Sequence, residues 1–230
     1  MAAIGLTLWH LYPHTDGENP KGRTRPPSTL PRHRAAAPKP KRAPKEMSVE
    51  PIDLYDAYGR YVVTQVRVVL DSRKASGKHR KRFSYRYGDG PRCTLKSLGL
   101  DAHDLPLWHS EKLRKHPDRI VIVTEGAKAA QALINALAQA GLEDVFVALA
   151  TAGGAEVLPR AYRLECLRDR VVWLWPDNDE GGRAHMNDLA SWAPTAETRT
   201  IMIDGLPEGG DADDYFEQGG TIVAMVEALR

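Results

Sequence analysis

Val171-Val172-Trp173-Leu174-Trp175-Pro176-Asp177-Asn178-Asp179-Glu180-Gly181-Gly182-Arg183 decides the reading of this chain. An apolar run of strand length stops at a proline and is followed by two carboxylates spaced i, i+2 and then by glycines. Residues i and i+2 of an extended segment point the same way, so Asp177 and Asp179 can converge on one cation. A hard divalent ion such as Mg²⁺ takes oxygen ligands and is often held by one or two carboxylates together with substrate phosphates. The competing reading of the pair is a solvated turn after a buried strand.

The same pattern occurs upstream. Arg119-Ile120-Val121-Ile122-Val123-Thr124 is a second apolar run, closed by Glu125-Gly126-Ala127-Lys128. Ala129 to Ala140 then reads as a helix of strong helix formers, with Gly141 as its stop. Past a strand-like Thr200-Ile201-Met202-Ile203-Asp204 comes a third acidic group, Asp211-Ala212-Asp213-Asp214. Apolar runs at 119–124, 145–150, 171–176 and 199–204 alternate with helical patterns near 126–140, 157–168 and 182–192. That alternation predicts an α/β architecture with one parallel sheet flanked by helices. Parallel strands present their carboxyl ends at one edge, where such folds bind ligands, so the three acidic groups are expected to meet there.

These residues resemble the toprim domain, shared by bacterial-type primases, type IA and II topoisomerases and some nucleases. The resemblance rests on Glu125-Gly126, Asp177-x-Asp179-x-x-Gly182 and Asp211-x-Asp213-Asp214. The run Glu125 to Leu133, the turn Thr151-Ala152-Gly153-Gly154-Ala155 and Pro176-Asp177-Asn178-Asp179 look most like primase-like proteins of phages, plasmids and integrated elements. The resemblance covers roughly 119–220 and, more loosely, a segment from about Tyr55. It implies a primase-type nucleotidyltransferase that makes short RNA on single-stranded DNA with Mg²⁺ or Mn²⁺. The alternatives it leaves open are a non-catalytic DNA-binding accessory of a replication helicase and a metal-dependent nuclease.

Under that resemblance Asp177 and Asp179 are the main metal ligands, and Asp211 and Asp213 serve a second ion or outer support. Glu125 ligates metal or acts as general base. Lys128 and Arg183 reach substrate phosphates, or are respectively a plain helix lysine and a partner of the carboxylates. Gly153, Gly154 and Gly182 let the backbone turn tightly against substrate. His185 reads as a helix-surface residue. Bacterial replicative primases carry a further acid four residues after the motif glutamate, where this chain has Ala129. No Walker-type phosphate loop occurs, so a helicase partner would be a separate chain.

Charge is divided. Residues 1–118 hold 23 Lys/Arg against 12 Asp/Glu, and residues 119–230 hold 9 against 18, so a +2 total hides halves of +11 and −9. A basic half beside an acidic, cation-gathering half suits metal-dependent work on nucleic acid and nucleoside triphosphates. The expected division is a disordered basic Pro-rich tail (1–50), a small basic β-containing subdomain (51–118) and the toprim-like domain (119–230). Pro20 to Glu46 contains seven prolines and nine Lys/Arg, with Lys39-Pro40-Lys41-Arg42 available to phosphates. Tyr61–Leu70 and Arg80–Tyr87 read as two strands. On the second, Arg80, Arg82, Ser84 and Arg86 share the face expected to follow nucleic acid, and Lys81, Phe83, Tyr85 and Tyr87 share the packing face. The alternative for those arginines is solubility alone. No run is long enough for a membrane span, and Cys93 and Cys166 show no metal-ligand spacing, as expected of a cytoplasmic protein.

Overall fold

The computed structural model describes residues 43–73, 77–153 and 157–229. Lys39 to Arg42, Gly154 and Ala155 therefore lie outside the described residues, and with them positions 1–42 of the tail reading and one candidate glycine.

The four apolar runs become β4 (Ile120–Thr124), β5 (Phe146–Ala150), β6 (Val171–Trp175) and β7 (Glu197–Thr200), all parallel and ordered β5-β4-β6-β7. The runs of β4, β5 and β6 are unbroken because those strands are buried on both faces, whereas β7, Glu-Thr-Arg-Thr at the sheet edge, is half exposed. Ile122, Ala148, Trp173 and Trp175 pack on one side against α1 (Ala127–Ala140), α4 (Ala212–Glu217) and α5 (Ile222–Glu227). Val121, Val123, Leu149, Val172 and Leu174 pack on the other against α2 (Ala161–Leu164) and α3 (Glu180–Trp192). Trp175 is 2% exposed, and cutting such a side chain back to alanine costs about 3–5 kcal/mol. From β4 the chain crosses to β5 on one side; from β6 it crosses to β7 on the other. The strand order therefore reverses between β4 and β6, and the crevice of the sheet opens between their carboxyl ends.

Three local expectations are corrected. The strand expected at 199–204 runs only over Glu197–Thr200, after which Ile201 N–H still bonds the Leu174 carbonyl of β6 at 2.8 Å and Ile201 bridges Leu229. Ala196 N–H bonds the Arg170 carbonyl at 2.9 Å, which sets the start of pairing early, and the 202–206 segment leaves the sheet. The helix expected at 157–168 shrinks to α2 and a 3₁₀ turn over Glu165–Leu167. Pro159 keeps its predecessor extended, and Arg160 N–H bonds the His103 carbonyl at 2.9 Å. His185 is 4% exposed, on the inner side of α3 rather than its surface. By contrast α1 ends as expected, with Gly141 at φ 66 making the left-handed cap.

The basic subdomain holds three antiparallel strands, β1 (Glu46–Tyr55), β2 (Tyr61–Arg73) and β3 (His79–Arg86), in that order. β1 had no counterpart in the sequence reading, and its first residues fall within the segment read as tail. Pro51 argues against a strand, yet β1 lies at the sheet edge, where proline is tolerated. Leu54, Val63, Tyr85, Leu95 and Leu105 form this sheet's own core, and Ala152 joins it from the loop after β5. Trp108 exchanges backbone bonds with Ala150 (N–H to O 2.8 Å), so residues 105–110 moor the small sheet to the large one. Residues 43–229 belong to one compact unit. No helix among the described residues is long and apolar enough to cross a membrane.

Candidate functional site

Thr124 and Trp175 are in register at the ends of β4 and β6, so Glu125 and Asp177 leave the sheet side by side. Asp177 N–H donates to Glu125 Oε1 at 2.9 Å. Gly182, in the first turn of α3, lies against that bond. A Cβ there would overlap Glu125 Oε1 and stand 2.6 Å from the Asp177 carbonyl oxygen, so only glycine fits.

Asp211 arrives by backbone stapling. Asn178 N–H bonds the Gly210 carbonyl at 2.7 Å, Gly209 N–H bonds the Asn178 carbonyl at 3.0 Å, and Asn178 Nδ2 donates to the Leu206 carbonyl at 2.6 Å. The loop before α4 is thereby tied to the end of β6. Asp211 and Asp214 close a capping box on α4. Asp179 caps α3, with Oδ1 accepting from Gly182 N–H at 2.8 Å. Each of these acids thus has a local structural role beside any chemical one.

The cleft above these strand ends, about 310 Å³, has two walls. Glu125, Lys128, Thr151, Gly153, Asp177 and Asp211 form one; Ile52, Gln65, Arg67, Lys81 and Phe83 of the antiparallel sheet form the other. Burial raises the Glu125 carboxyl above the usual carboxylate range, against the Asp177 N–H and with help from Asp179 and Asp211. Asp177 is pushed up to about 8 by burial first, then by Glu125, Asp211 and Asp179, with Lys81 opposing. Lys81 is itself held below the usual lysine range by desolvation and by Arg67, while Asp211 and Asp177 pull it upward. Crowded acids facing a partly desolvated lysine leave the site short of positive charge.

The sequence-predicted residues divide accordingly. Glu125, Asp177 and Asp211 meet in the cleft, and Asp179 is near enough to shift both Glu125 and Asp177. Asp213 turns away to pair with Lys128, which raises the lysine's pKa. Gly153 lines the cleft at φ +98. Arg183 leans on Asn178 Oδ1 at 3.5 Å and does not line it. Arg82 pairs with Glu46, Arg80 Nε donates to the Arg73 carbonyl at 3.4 Å, and Arg86 lies four residues beyond Arg82 on the same face. That face is opposite the one carrying Lys81 and Phe83.

Lys81, Arg67 and Gln65 were missed. The period-2 alternation did place Lys81 with Phe83 and Tyr85, but that face was read as packing. Also unforeseen is a buried relay behind the site, in which His185 Nε2 lies 3.2 Å from Thr151 Oγ1 and Thr151 Oγ1 donates to the Glu125 carbonyl at 3.0 Å.

The donor set, carboxylate oxygens whose charge is incompletely offset, fits a hard divalent cation. In the arrangement shown, no three His, Cys, Asp or Glu side chains among the described residues close on one point.

No protein-family model matches the chain, and no curated protein matches it. One solved structure with a similar chain is that of bacteriophage T7 lagging-strand DNA polymerase interacting with primase domains of two gp4 subunits, bound to an RNA/DNA hybrid and dTTP. Identity is 16%, the match covers 74% of this chain and 71% of the other, and the TM-score is 0.47.

Proposed function

We propose that this chain is a primase-type nucleotidyltransferase that extends short RNA on a single-stranded DNA template, with Mg²⁺ or Mn²⁺ held by its carboxylates. The observation that carries the reading is the cleft itself. Glu125 and Asp177 stand at the adjacent ends of β4 and β6, and Asp211 joins them from the N-terminus of α4. Lys81 and Arg67, the latter ion-paired with Glu50, face them from the other wall. Acids alone would suit many cation sites. Acids opposed by cations suit a ligand carrying both phosphates and a metal.

Asp177 and Asp179 would hold the ion, with Asp211 supporting it. When bound, it would neutralise charge developing on the transferred phosphoryl group. Lys81 and Arg67 are placed for the triphosphate or the template backbone. Glu125, buried and with its pKa raised, is suited to take the proton of an attacking 3′-hydroxyl as that oxygen bonds the α-phosphorus and pyrophosphate leaves. Gly153 would let the backbone turn at φ +98 beside the nucleotide. A separate replicative helicase is the partner this reading expects.

A second reading has its own support. Asp213 is engaged by Lys128, and no three ligating side chains converge among the described residues, as in a module that keeps the architecture for binding alone. Incubation with single-stranded DNA, ribonucleoside triphosphates and Mg²⁺ or Mn²⁺ separates these readings, with Asp177→Asn/Asp179→Asn as control. Asparagine preserves the α3 cap, so the control keeps its fold. Short RNA from the unaltered chain only supports the proposal. Shortened DNA moves the function to a nuclease, and neither product favours the binding module.

A further inference from the structure

A second recess lies apart from the carboxylate cleft and shares no lining residue with it. It occupies about 300 Å³ between the β1–β2 turn and α2. Tyr58 is at the tip of that turn and is 72% exposed; Tyr162 stands on the other wall and is 55% exposed. Each carries a guanidinium over its ring, Arg60 at 5.3 Å from the Tyr58 centroid and Arg163 at 5.0 Å from that of Tyr162.

Both walls are held in place. Asp56, 5% exposed, accepts from the backbone N–H groups of Tyr58 and Arg60, each at 3.0 Å, and from Arg60 Nε at 2.7 Å. Tyr162 Oη donates to Asp104 Oδ1 at 2.9 Å, and Arg163 Nε donates to the Asp104 carbonyl at 2.7 Å. Behind them, Arg170 is locked by the carbonyls of Leu113, His116, Pro117 and Cys166. Arg114 adds another cation on the rim. Asp56 is matched by Arg60, Asp104 by Arg160 and Glu165 by Arg168, so the net positive charge of the recess comes from Arg114, Arg163 and Arg170.

A turn tip needs no aromatic residue, and neither tyrosine ring is buried in a core. Two exposed rings, each backed by a guanidinium on one face, in a recess of net positive charge combine the two elements single-stranded nucleic acid requires. Bases stack on the rings, and phosphates are neutralised by the arginines. We infer that this recess is a second contact for single-stranded nucleic acid, outside the carboxylate cleft. The inference does not depend on the chemistry of the cleft.

The test uses the full chain with EDTA present, so that cleft metal plays no part. Its probe is a fluorescent oligothymidylate carrying 5-iododeoxyuridine. Photo-cross-links are expected on the peptides bearing Tyr58 or Tyr162. Tyr58→Ala/Tyr162→Ala should weaken binding about tenfold or more, whereas Tyr58→Phe/Tyr162→Phe should hold it near the original value. Arg114→Ala should lower the dependence of affinity on salt while leaving the Asp56–Arg60 pair that holds the turn intact. Cross-links confined elsewhere with affinity unchanged in the alanine pair would overturn the inference. So would equal loss in the phenylalanine pair, or equal displacement of the oligonucleotide by polyglutamate, which would mark a site for acidic protein segments. If the alanine pair fails to fold, Tyr58→Ser at the exposed turn tip, read by the same cross-link map, decides.

Discussion

The two walls of the carboxylate cleft are built by different means. On the parallel-sheet wall, backbone geometry sets each acid. Glu125 and Asp177 follow strands held in register, Asp179 and Asp211 cap helices, and Asn178 staples the loop that delivers Asp211. On the antiparallel wall, Lys81 is a long side chain on the edge strand β3, whereas Arg67 stands on the central strand β2 and is ion-paired with Glu50. The difference teaches where damage spreads. A change on the acidic wall disturbs turns and caps together with chemistry, whereas a change on the basic wall removes charge and leaves the fold.

Gly182→Ala should break the acidic wall most severely. Its Cβ overlaps Glu125 Oε1 and crowds the Asp177 backbone, so the loss should be about 3 kcal/mol or more in urea unfolding. Gly181→Ala is the internal control. Its Cβ would stand 3.4 Å from Asp179 Oδ1, and helix propensity should make it neutral or slightly stabilising. Equal losses at the two positions would mean that the close approach at Gly182 is unimportant.

Next comes Asn178→Ala, which leaves the Leu206 carbonyl without its donor and should cost about 1–3 kcal/mol. Lys81→Ala, by contrast, should lower nucleotide affinity while unfolding stays as before. A matching stability loss at Lys81 would erase the distinction between the walls.

Acidity gives a further test. The folded-state Asp177 pKa is about 8, above the ordinary value of 3.8 that it regains on unfolding. Between those values the folded chain binds more protons, so metal-free stability should fall as pH rises from about 5 towards 8.5. Melting temperatures across that window should show the fall, and Asp177→Asn should flatten it. Excess Mg²⁺ should flatten it too, if the cation is bound. Lys81→Ala should carry the fall to higher pH, because Lys81 is the group holding Asp177 down.

The smallest effect is expected from Arg82→Ala with Arg86→Ala. Arg82 is matched by Glu46 on the far face, so nucleic-acid binding in the cleft should hardly change. A marked drop in the salt dependence of binding would instead restore those arginines to the interface.

Much of the parallel half was legible because its signals are local. Unbroken apolar runs, a glycine after α1 and acids just past strand ends each follow from a few neighbouring residues. β7 was misplaced because an edge strand has little apolar pattern of its own, and its pairing depends on where Ala196 meets Arg170. β1 was missed because Pro51 and the interspersed acids suppress a strand signal that an edge position tolerates. His185 was misread because α3 carries few apolar residues to mark its inner side, and only packing against the loop after β5 shows which side that is.

By itself the sequence determined the α/β alternation, the charge division and the acids just past the ends of β4 and β6, since periodicity, composition and short-range spacing are written within each segment. Only the tertiary structure decided which acids share the cleft, that Asp213 belongs to Lys128, and that Lys81 and Arg67 face Asp177. Those outcomes depend on register between distant strands and on how two sheets dock, and residues far apart in the chain carry no local record of either.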